Sequence, residues 1–366
     1  MKVALVSVGT GQTRRGYERF MTDLFAVLRA DVDVTLFKGA GEPAPGECVV
    51  RHMKRTGTVA RMAGDRMGYT RSRIEFATFA VALWPRLMGG RFDVVHVVDP
   101  PLAPKLARMR SLTRAKYGFV FTDGGPAVFD ATPYADVVLY ISPEQQREAI
   151  ARGAAPAKGL MLPMGVDTSW MGEAVDRAAL RREHGVAADT FVILAVAALN
   201  RHHKRVDYLI DEIAKVPGDI VLWIDGGVQP DGDASLLQLA RDRLGGRFRH
   251  THVPSGRVRD LYRLADVTVS AAFHESQGLA LIEAMCAGLP VVAHDSPHFR
   301  WLLDGHGHLV DMAVPGALAD RLVHLLGHRE ELRKPGDRDS ARRRFGWESL
   351  KETYLDVYRR VVAEAA

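Results

Sequence analysis

Cysteine is scarce: the 366 residues hold only 2, Cys48 and Cys286. They stand far apart and outside any Cys-x-x-Cys or zinc spacing. That excludes a disulfide framework, a vicinal redox pair and a cysteine-built metal site, and reads as two reduced thiols in a cytosolic protein. Long apolar runs are missing as well. The longest, residues 76–85, is about half of the ~20 residues that a bilayer crossing needs. The opening run 3–8 meets Gly9, Thr10 and Gly11 at once, which predicts a buried strand entering a loop and no signal core. Also lacking are a Gly-x-Ser-x-Gly elbow, a His-Glu-x-x-His pair and a Walker loop. No Asp-x-Asp is placed to hold a divalent ion between phosphates, so neither a metal nor a cofactor is expected.

What is present is an ordinary globular composition, 47% hydrophobic and 25% charged, in a length that suits two domains at about 150 residues each. Short apolar, β-branched runs alternate with amphipathic stretches. In the first half the strand-like runs are 3–8, 32–37, 94–98, 117–122 and 137–142, with helical patterns at 18–28, 102–109 and 143–151. The pattern restarts with strands at 192–196, 220–224, 250–253, 267–270 and 291–294, and helices at 206–214, 235–244, 258–264, 278–287 and 316–326. This is βαβ grammar, an α/β chain with parallel sheets covered on both faces. Leu162-Pro163-Met164-Gly165-Val166-Asp167 reads as a linker turn. It sets an N-terminal domain at 1–167 and a second at 168–346. A long helix follows at 347–366, with Tyr354 and Tyr358 on one face. Two such domains facing each other would make a cleft, which suits the joining of two different molecules; ligands bind outside the carboxyl ends of the strands.

The net charge of +5 is uneven: residues 51–120 hold 14 Lys+Arg against 4 Asp+Glu, leaving the remainder near −5. A solvated surface explains this, and so does a face for an anionic acceptor or membrane. Arg61, Arg66, Arg71, Arg73, Arg86 and Arg91 are interleaved with Met62, Met67, Tyr69, Phe76, Phe79, Leu83, Trp84 and Leu87, the pattern of an interfacial helix. The same apolar residues also suit packing on the first sheet.

The densest chemical signal is His274-Glu275-Ser276-Gln277-Gly278-Leu279, continuing through Glu283-Ala284-Met285 to Gly288-Leu289-Pro290-Val291-Val292. A loop running into a helix near Gly278 sets the backbone N–H groups of Ser276, Gln277, Gly278 and Leu279 at a helix N-terminus, a ready anion site. The flanking carboxylates of Glu275 and Glu283 are poor phosphate ligands but good acceptors for sugar and ribose hydroxyls. One strand–loop–helix unit can thus hold a diphosphate between two sugars. Upstream, Arg201-His202-His203-Lys204-Arg205 precedes a helix and is suited to neutralise a diphosphate leaving group. The paired histidines lack metal-ligand spacing. The N-terminal Gly9-Thr10-Gly11-Gln12-Thr13-Arg14 is not the dinucleotide fingerprint, because Arg14 stands where the third glycine belongs.

These residues resemble the donor-site signature of the retaining glycosyltransferases of family 4, which have the GT-B fold. Two glutamates eight apart, a glycine three after the first, Glu-Ala-Met and Gly-Leu-Pro-Val-Val are all present. The likeness extends to Pro163-Met164-Gly165-Val166-Asp167, Asp93-Val94-Val95-His96, Leu264-Ala265-Asp266-Val267 and Phe345-Gly346-Trp347-Glu348. It implies two Rossmann-like domains, the first for the acceptor and the second for the donor, with the last helix returning to the first. It implies that Glu275 binds hydroxyls of the transferred sugar, that Glu283 binds the ribose, and that Lys204 meets the diphosphate. The family's arginine is replaced by Ala198, so Arg201 or Arg205 would take its place. The acceptor-side histidine is also missing, and its position falls at Asp123 or Gly124. Gly16 would approach the donor phosphate or the acceptor with its backbone, or simply make a turn.

The implied activity is transfer of a hexose from a GDP- or UDP-sugar to a hydroxyl of a sugar, glycan or lipid-linked acceptor. The anomeric configuration would be retained and no metal used. The expected setting is cytoplasmic, in carbohydrate or glycan biosynthesis, at most peripheral to the inner membrane face, with no nucleic acid partner. A nucleotide-sugar epimerase of the same fold and a non-catalytic sugar-binding subunit remain alternatives. A phosphorylase would need a pyridoxal-bearing lysine context that is absent.

Overall fold

The computed structural model describes the chain except residues 14–15, 59–61, 63–70, 124–131, 229–232, 333–336 and 366. The chain divides into two compact units, Met1–Val166 with Trp347–Ala366, and Asp167–Gly346.

The first unit holds a 7-stranded sheet in the order β3-β2-β1-β4-β5-β6-β7. Its strands are β1 Lys2–Ser7, β2 Asp33–Lys38, β3 Glu47–Val49, β4 Val94–Val97, β5 Gly118–Asp123, β6 Val137–Tyr140 and β7 Gly159–Met161. Every pairing is parallel. Helices α1 Gly16–Leu28, α2 Arg71–Gly90, α3 Ala103–Thr113 and α4 Pro143–Ala151 cover it. In α1, Phe20, Met21, Leu24, Phe25 and Leu28 recur at the helical period, so one stripe is apolar and buried. Helices α2 and α3 bury Phe76, Phe79, Leu83 and Leu87, and Leu102, Ala103 and Leu106, in one cluster with β1, β4 and β5. Four apolar residues that the sequence offered to an interfacial face are therefore core. Arg61, Arg66, Met67 and Tyr69 lie outside the described residues.

The second unit holds a 6-stranded sheet in the order β10-β9-β8-β11-β12-β13. Its strands are β8 Phe191–Val196, β9 Ile220–Asp225, β10 Phe248–Thr251, β11 Val267–Val269, β12 Val291–His294 and β13 His308–Val310, again all parallel. Strand β8 is buried almost along its whole length, the uninterrupted apolar run that a strand covered on both faces requires. The connecting helices include α5 Arg177–Glu183, α6 Val206–Ala214, α7 Ser235–Leu244, α8 Val258–Leu264 and α9 Leu279–Cys286, followed by α10 Pro297–Leu303, α11 Ala317–Gly327 and α12 Asp337–Phe345.

The chain then returns to the first unit as α13, Trp347–Ala365. Trp347, Tyr354 and Tyr358 are buried. The Trp347 ring stacks on Phe20 at 6.0 Å, and Tyr354 Oη donates to the Pro163 carbonyl at 2.9 Å. Gly165 makes room for this helix, since a Cβ there would come within 2.4 Å of the Trp347 ring. Fully buried His96 on β4 joins Tyr358 Oη through Nδ1 at 2.6 Å and Thr122 Oγ1 on β5 through Nε2 at 2.7 Å. Burial pushes its imidazole down to about 3, so the ring is neutral.

Three aspartates set the register at the opposite strand ends. Asp93, Asp136 and Asp266 precede β4, β6 and β11. Each accepts a backbone N–H from the neighbouring strand: Lys2 at 2.6 Å, Phe119 at 2.8 Å and Val192 at 2.8 Å.

Candidate functional site

In the second sheet the strand order reverses between the neighbours β8 and β11. The loops leaving their carboxyl ends are the Lys204 loop and the Glu275 loop, so the topology alone gathers the predicted residues at the switch point. The Lys204 loop is held from within. Asn200 Oδ1 accepts the backbone N–H groups of His203 at 3.0 Å and Lys204 at 2.7 Å, while the Asn200 carbonyl accepts the Val206 N–H at 3.2 Å. Helix α6 then anchors through Val206, Leu209, Ile210 and Ile213, an i, i+3, i+4, i+7 stripe.

Lys204 Nζ donates to Glu275 Oε1 at 2.5 Å. The two side chains are 21% and 10% exposed, so a cation and an anion meet at a partly screened edge. His203 Nε2 lies 3.0 Å from the His274 carbonyl and 4.0 Å from Glu275 Oε2. Ser276 and Gln277 lead into α9, and Gln277 is buried. Gly278 caps the helix with φ +86°, a left-handed conformation that costs a side-chain-bearing residue about 1 kcal/mol or more. Its carbonyl accepts from the Leu281 and Ile282 N–H groups at 2.9 and 3.1 Å. Leu279 opens the helix. One turn further in, Glu283 is buried and its Oε2 accepts the Tyr262 hydroxyl of α8 at 2.9 Å.

The two arginines offered in place of the family's arginine differ in their surroundings. Arg201 faces carboxylates, with Nε donating to Asp233 Oδ2 at 2.6 Å, Nη2 to Ser235 Oγ at 3.1 Å, and Asp207 at 3.6 Å. Arg205 has φ +49° and sits inward. Its guanidinium lies over Phe273 at 3.7 Å and Tyr208 at 4.1 Å, and donates to the carbonyls of Ala271 and Met312, each at 3.2 Å. Stacked and bonded in this way, Arg205 braces the loop following β11 against the rest of the unit.

Gly16 and Asp123 belong to the first unit, at the start of α1 and the end of β5. Gly124 and Arg14 lie outside the described residues. A polar cluster that sequence reasoning missed stands at the carboxyl edge of this sheet. Asp99 follows β4 and its Oδ2 accepts the Val8 N–H at 2.7 Å. Burial, with the charges of Glu18 and Glu75 nearby, pushes the Asp99 carboxyl up to about 7, against the pull of the Val8 bond and Arg55. Thr13 Oγ1 donates to Glu18 Oε1 at 2.7 Å. Gly9 lets this carboxylate approach, because a Cβ there would meet it at 2.0 Å. Gln12 Nε2 reaches the Val8 carbonyl at 2.8 Å and His52 at 3.2 Å, and Arg55 Nε donates to buried Glu75 at 2.6 Å.

Among the described residues no group of three His, Cys, Asp or Glu side chains is arranged to hold a metal ion. No described helix is long and apolar enough to cross a membrane.

Residues 190–328 match the family described as glycosyl transferases group 1. The D-inositol 3-phosphate glycosyltransferase of Xylanimonas cellulosilytica is 34% identical over 241 residues, covering 61% of this chain and 57% of that protein. Its counterpart from Kineococcus radiotolerans is 31% identical over 256 residues, covering 63% and 59%. The chain thus spans well under two thirds of the length of these curated relatives. Among solved structures, sucrose-phosphate synthase from Thermosynechococcus elongatus superposes with a TM-score of 0.82 at 20% identity, covering 99% of both chains. HepE of Anabaena, in complex with UDP and glucose, gives 0.78 at 16% identity, covering 98% and 100%. At such identities these likenesses speak for the fold. The family match lies within the second unit, where residues 190–328 are similar to the group 1 glycosyltransferases, and the fold shared along the chain is GT-B.

Proposed function

We propose that the chain transfers a hexose from a nucleoside diphosphate sugar, held by the second unit, to an acceptor hydroxyl with retention of configuration. The observation that carries this reading is the Lys204–Glu275 contact of 2.5 Å at the switch point, beside the Gly278-capped start of α9. A charged amine and a helix N-terminus converge where the negative charge of a diphosphate leaving group would grow. Such preorganised donors act most strongly on the charge that develops in the transition state. Glu275 accepts sugar hydroxyls and pairs with Lys204 until the diphosphate takes its place, while Asn200 holds the Lys204 loop. Glu283, fixed by Tyr262, accepts the ribose hydroxyls.

The roles proposed for the arginines follow their geometry. Arg201 guards the outer side of the diphosphate, where it exchanges its carboxylate partners for phosphate oxygens, while Arg205 supports the Glu275 loop and does not touch donor. Gly16 and Asp123 serve the acceptor side, at the carboxyl edge of the first sheet. The curated relatives are named D-inositol 3-phosphate glycosyltransferases and HepE was solved with UDP and glucose. UDP-hexoses with phosphorylated polyols are therefore the first pairs to try.

Calorimetric titration with UDP, GDP and ADP, followed by a diphosphate-release assay with the matching sugars, tests the reading. One diphosphate should bind in the micromolar range and Lys204→Ala should weaken it at least tenfold. Absence of binding by all three at millimolar concentration would sink it.

A further inference from the structure

We infer that the outward faces of α2 and α3 form a surface that docks on an anionic membrane. Both helices pack into one buried cluster on the same face of the first sheet, so their opposite sides look outward together. On α2 that side carries Val81, 68% exposed, with Pro85 exposed and the half-buried Trp84 and Met88 beside it; on α3 it carries Leu112, 75% exposed. These apolar groups are ringed by cations. Arg73, Arg86, Lys105, Arg108 and Arg114 make no ion pair with any described residue. Arg73 and Lys105 lie close enough across the two helices for Arg73 to help burial push the Lys105 amine down.

Among the described residues the one acid paired with α3 is Asp136, held by Arg110 at 2.6 Å. The acidic residues of 71–116 are Glu75, Asp93 and Asp99. Glu75 is buried against Arg55, Asp93 accepts the Lys2 N–H, and Asp99 accepts the Val8 N–H. An outward helical surface with exposed aliphatic groups, rimmed by cations that make no ion pair with a described residue, complements an anionic bilayer surface. The aliphatic side chains enter the headgroup boundary and the arginines meet lipid phosphates. A soluble polyanion would use the cations but gain nothing from Val81 and Leu112. This surface belongs to the first unit alone and does not depend on the donor reading.

Co-sedimentation tests it, using the full chain with vesicles of phosphatidylcholine containing phosphatidylglycerol and vesicles of phosphatidylcholine alone, at low and high salt. Binding to the anionic vesicles at low salt and release at high salt are expected. The combined variant Arg73→Gln, Arg86→Gln, Arg108→Gln should lower the partition coefficient about a hundredfold, since each cation near an anionic leaflet contributes a factor of about five. Val81→Asp with Leu112→Asp should also weaken it, while the thermal midpoints of both variants stay at the wild-type value, because every altered side chain is solvent-facing or partly so. No binding to anionic vesicles at low salt overturns the inference. Binding indifferent to Val81→Asp with Leu112→Asp, as an RNA-like polyanion site would give, overturns it equally.

Discussion

At the scale of single residues, Glu275 and Glu283 stand on one loop and helix yet meet different neighbours, Lys204 in one case and Tyr262 in the other. Their substitutions should therefore separate. Glu283→Gln loses a charge-assisted bond to the ribose and is expected to weaken nucleoside diphosphate binding by about 1.5–3 kcal/mol. Glu275→Ala should abolish transfer and leave diphosphate binding largely intact. Both are read on one preparation, by calorimetry and by sugar transfer; equal loss of diphosphate affinity in the two variants would move Glu275 off the sugar. The Glu275–Glu283 stretch with its Gly278 turn, and separately the basic run around Lys204, were legible in the sequence because each is a local pattern; that the two meet is visible only in the fold. Tyr262 and Asn200 were not legible, since a Tyr–Glu bond between two helices, or an asparagine folded back on its own loop, leaves no local pattern. Nor could the sequence tell that Arg205 faces inward, a choice made by the Phe273 and Tyr208 rings.

Asp99 adds a pH dependence at the same scale. Its folded value, about 7, lies above the ordinary 3.8, so folding takes up a proton. The stability contributed by the protonated form is complete below the ordinary value and is lost as pH rises towards the folded one. The thermal midpoint of the wild type should thus fall relative to Asp99→Asn between those two values, the asparagine still accepting the Val8 N–H. Midpoints that run parallel across this range would show that Asp99 ionises normally.

At the scale of elements, the strongly apolar parallel strands and the period of α1, α6 and α13 were readable, whereas β3, β7 and β13 were not. These are 3-residue strands, too short to show an alternation, and they exist because a neighbouring strand offers its bonds. Helix α2 was obscured by Pro85, which the structure accommodates within the helix. The proline ring is exposed, and an interior proline is tolerated best where the carbonyl it leaves unbonded can reach water. The Asp-Val motifs at 93–94 and 266–267, read as marks of family, have a structural duty: each carboxylate clips a neighbouring strand in register. The Asn200 turn is the element on which the donor reading leans most. Asn200→Ala orphans two backbone N–H groups and should cost about 1–3 kcal/mol of stability, and it should weaken diphosphate binding by freeing Lys204. A variant destabilised in thermal melts but with wild-type affinity would show that Lys204 is placed by other contacts.

At the scale of the whole molecule, the proposed chemistry meets the donor's charge with an amine, an arginine and a helix start. Transfer is expected to proceed undiminished after chelator treatment and dialysis. Activity lost to the chelator and recovered with magnesium would refute that, as product of inverted anomeric configuration, read by NMR, would refute retention.

The return of α13 to the first unit has a consequence for how this chain comes off the ribosome. Residues 167–346 are contiguous and can close their sheet as soon as they emerge, but the first unit cannot. Its sheet is synthesised before the second unit, yet the helix that covers Phe20 and His96 is synthesised after all of it. The usual vectorial order, amino-terminal domain first, is thereby reversed at the finish. A half-covered parallel sheet must wait, with apolar surface open to chaperones, while a later domain completes ahead of it. A nonsense change a few codons before Trp347 would spare the unit nearest to it in sequence and unmake the one farthest away.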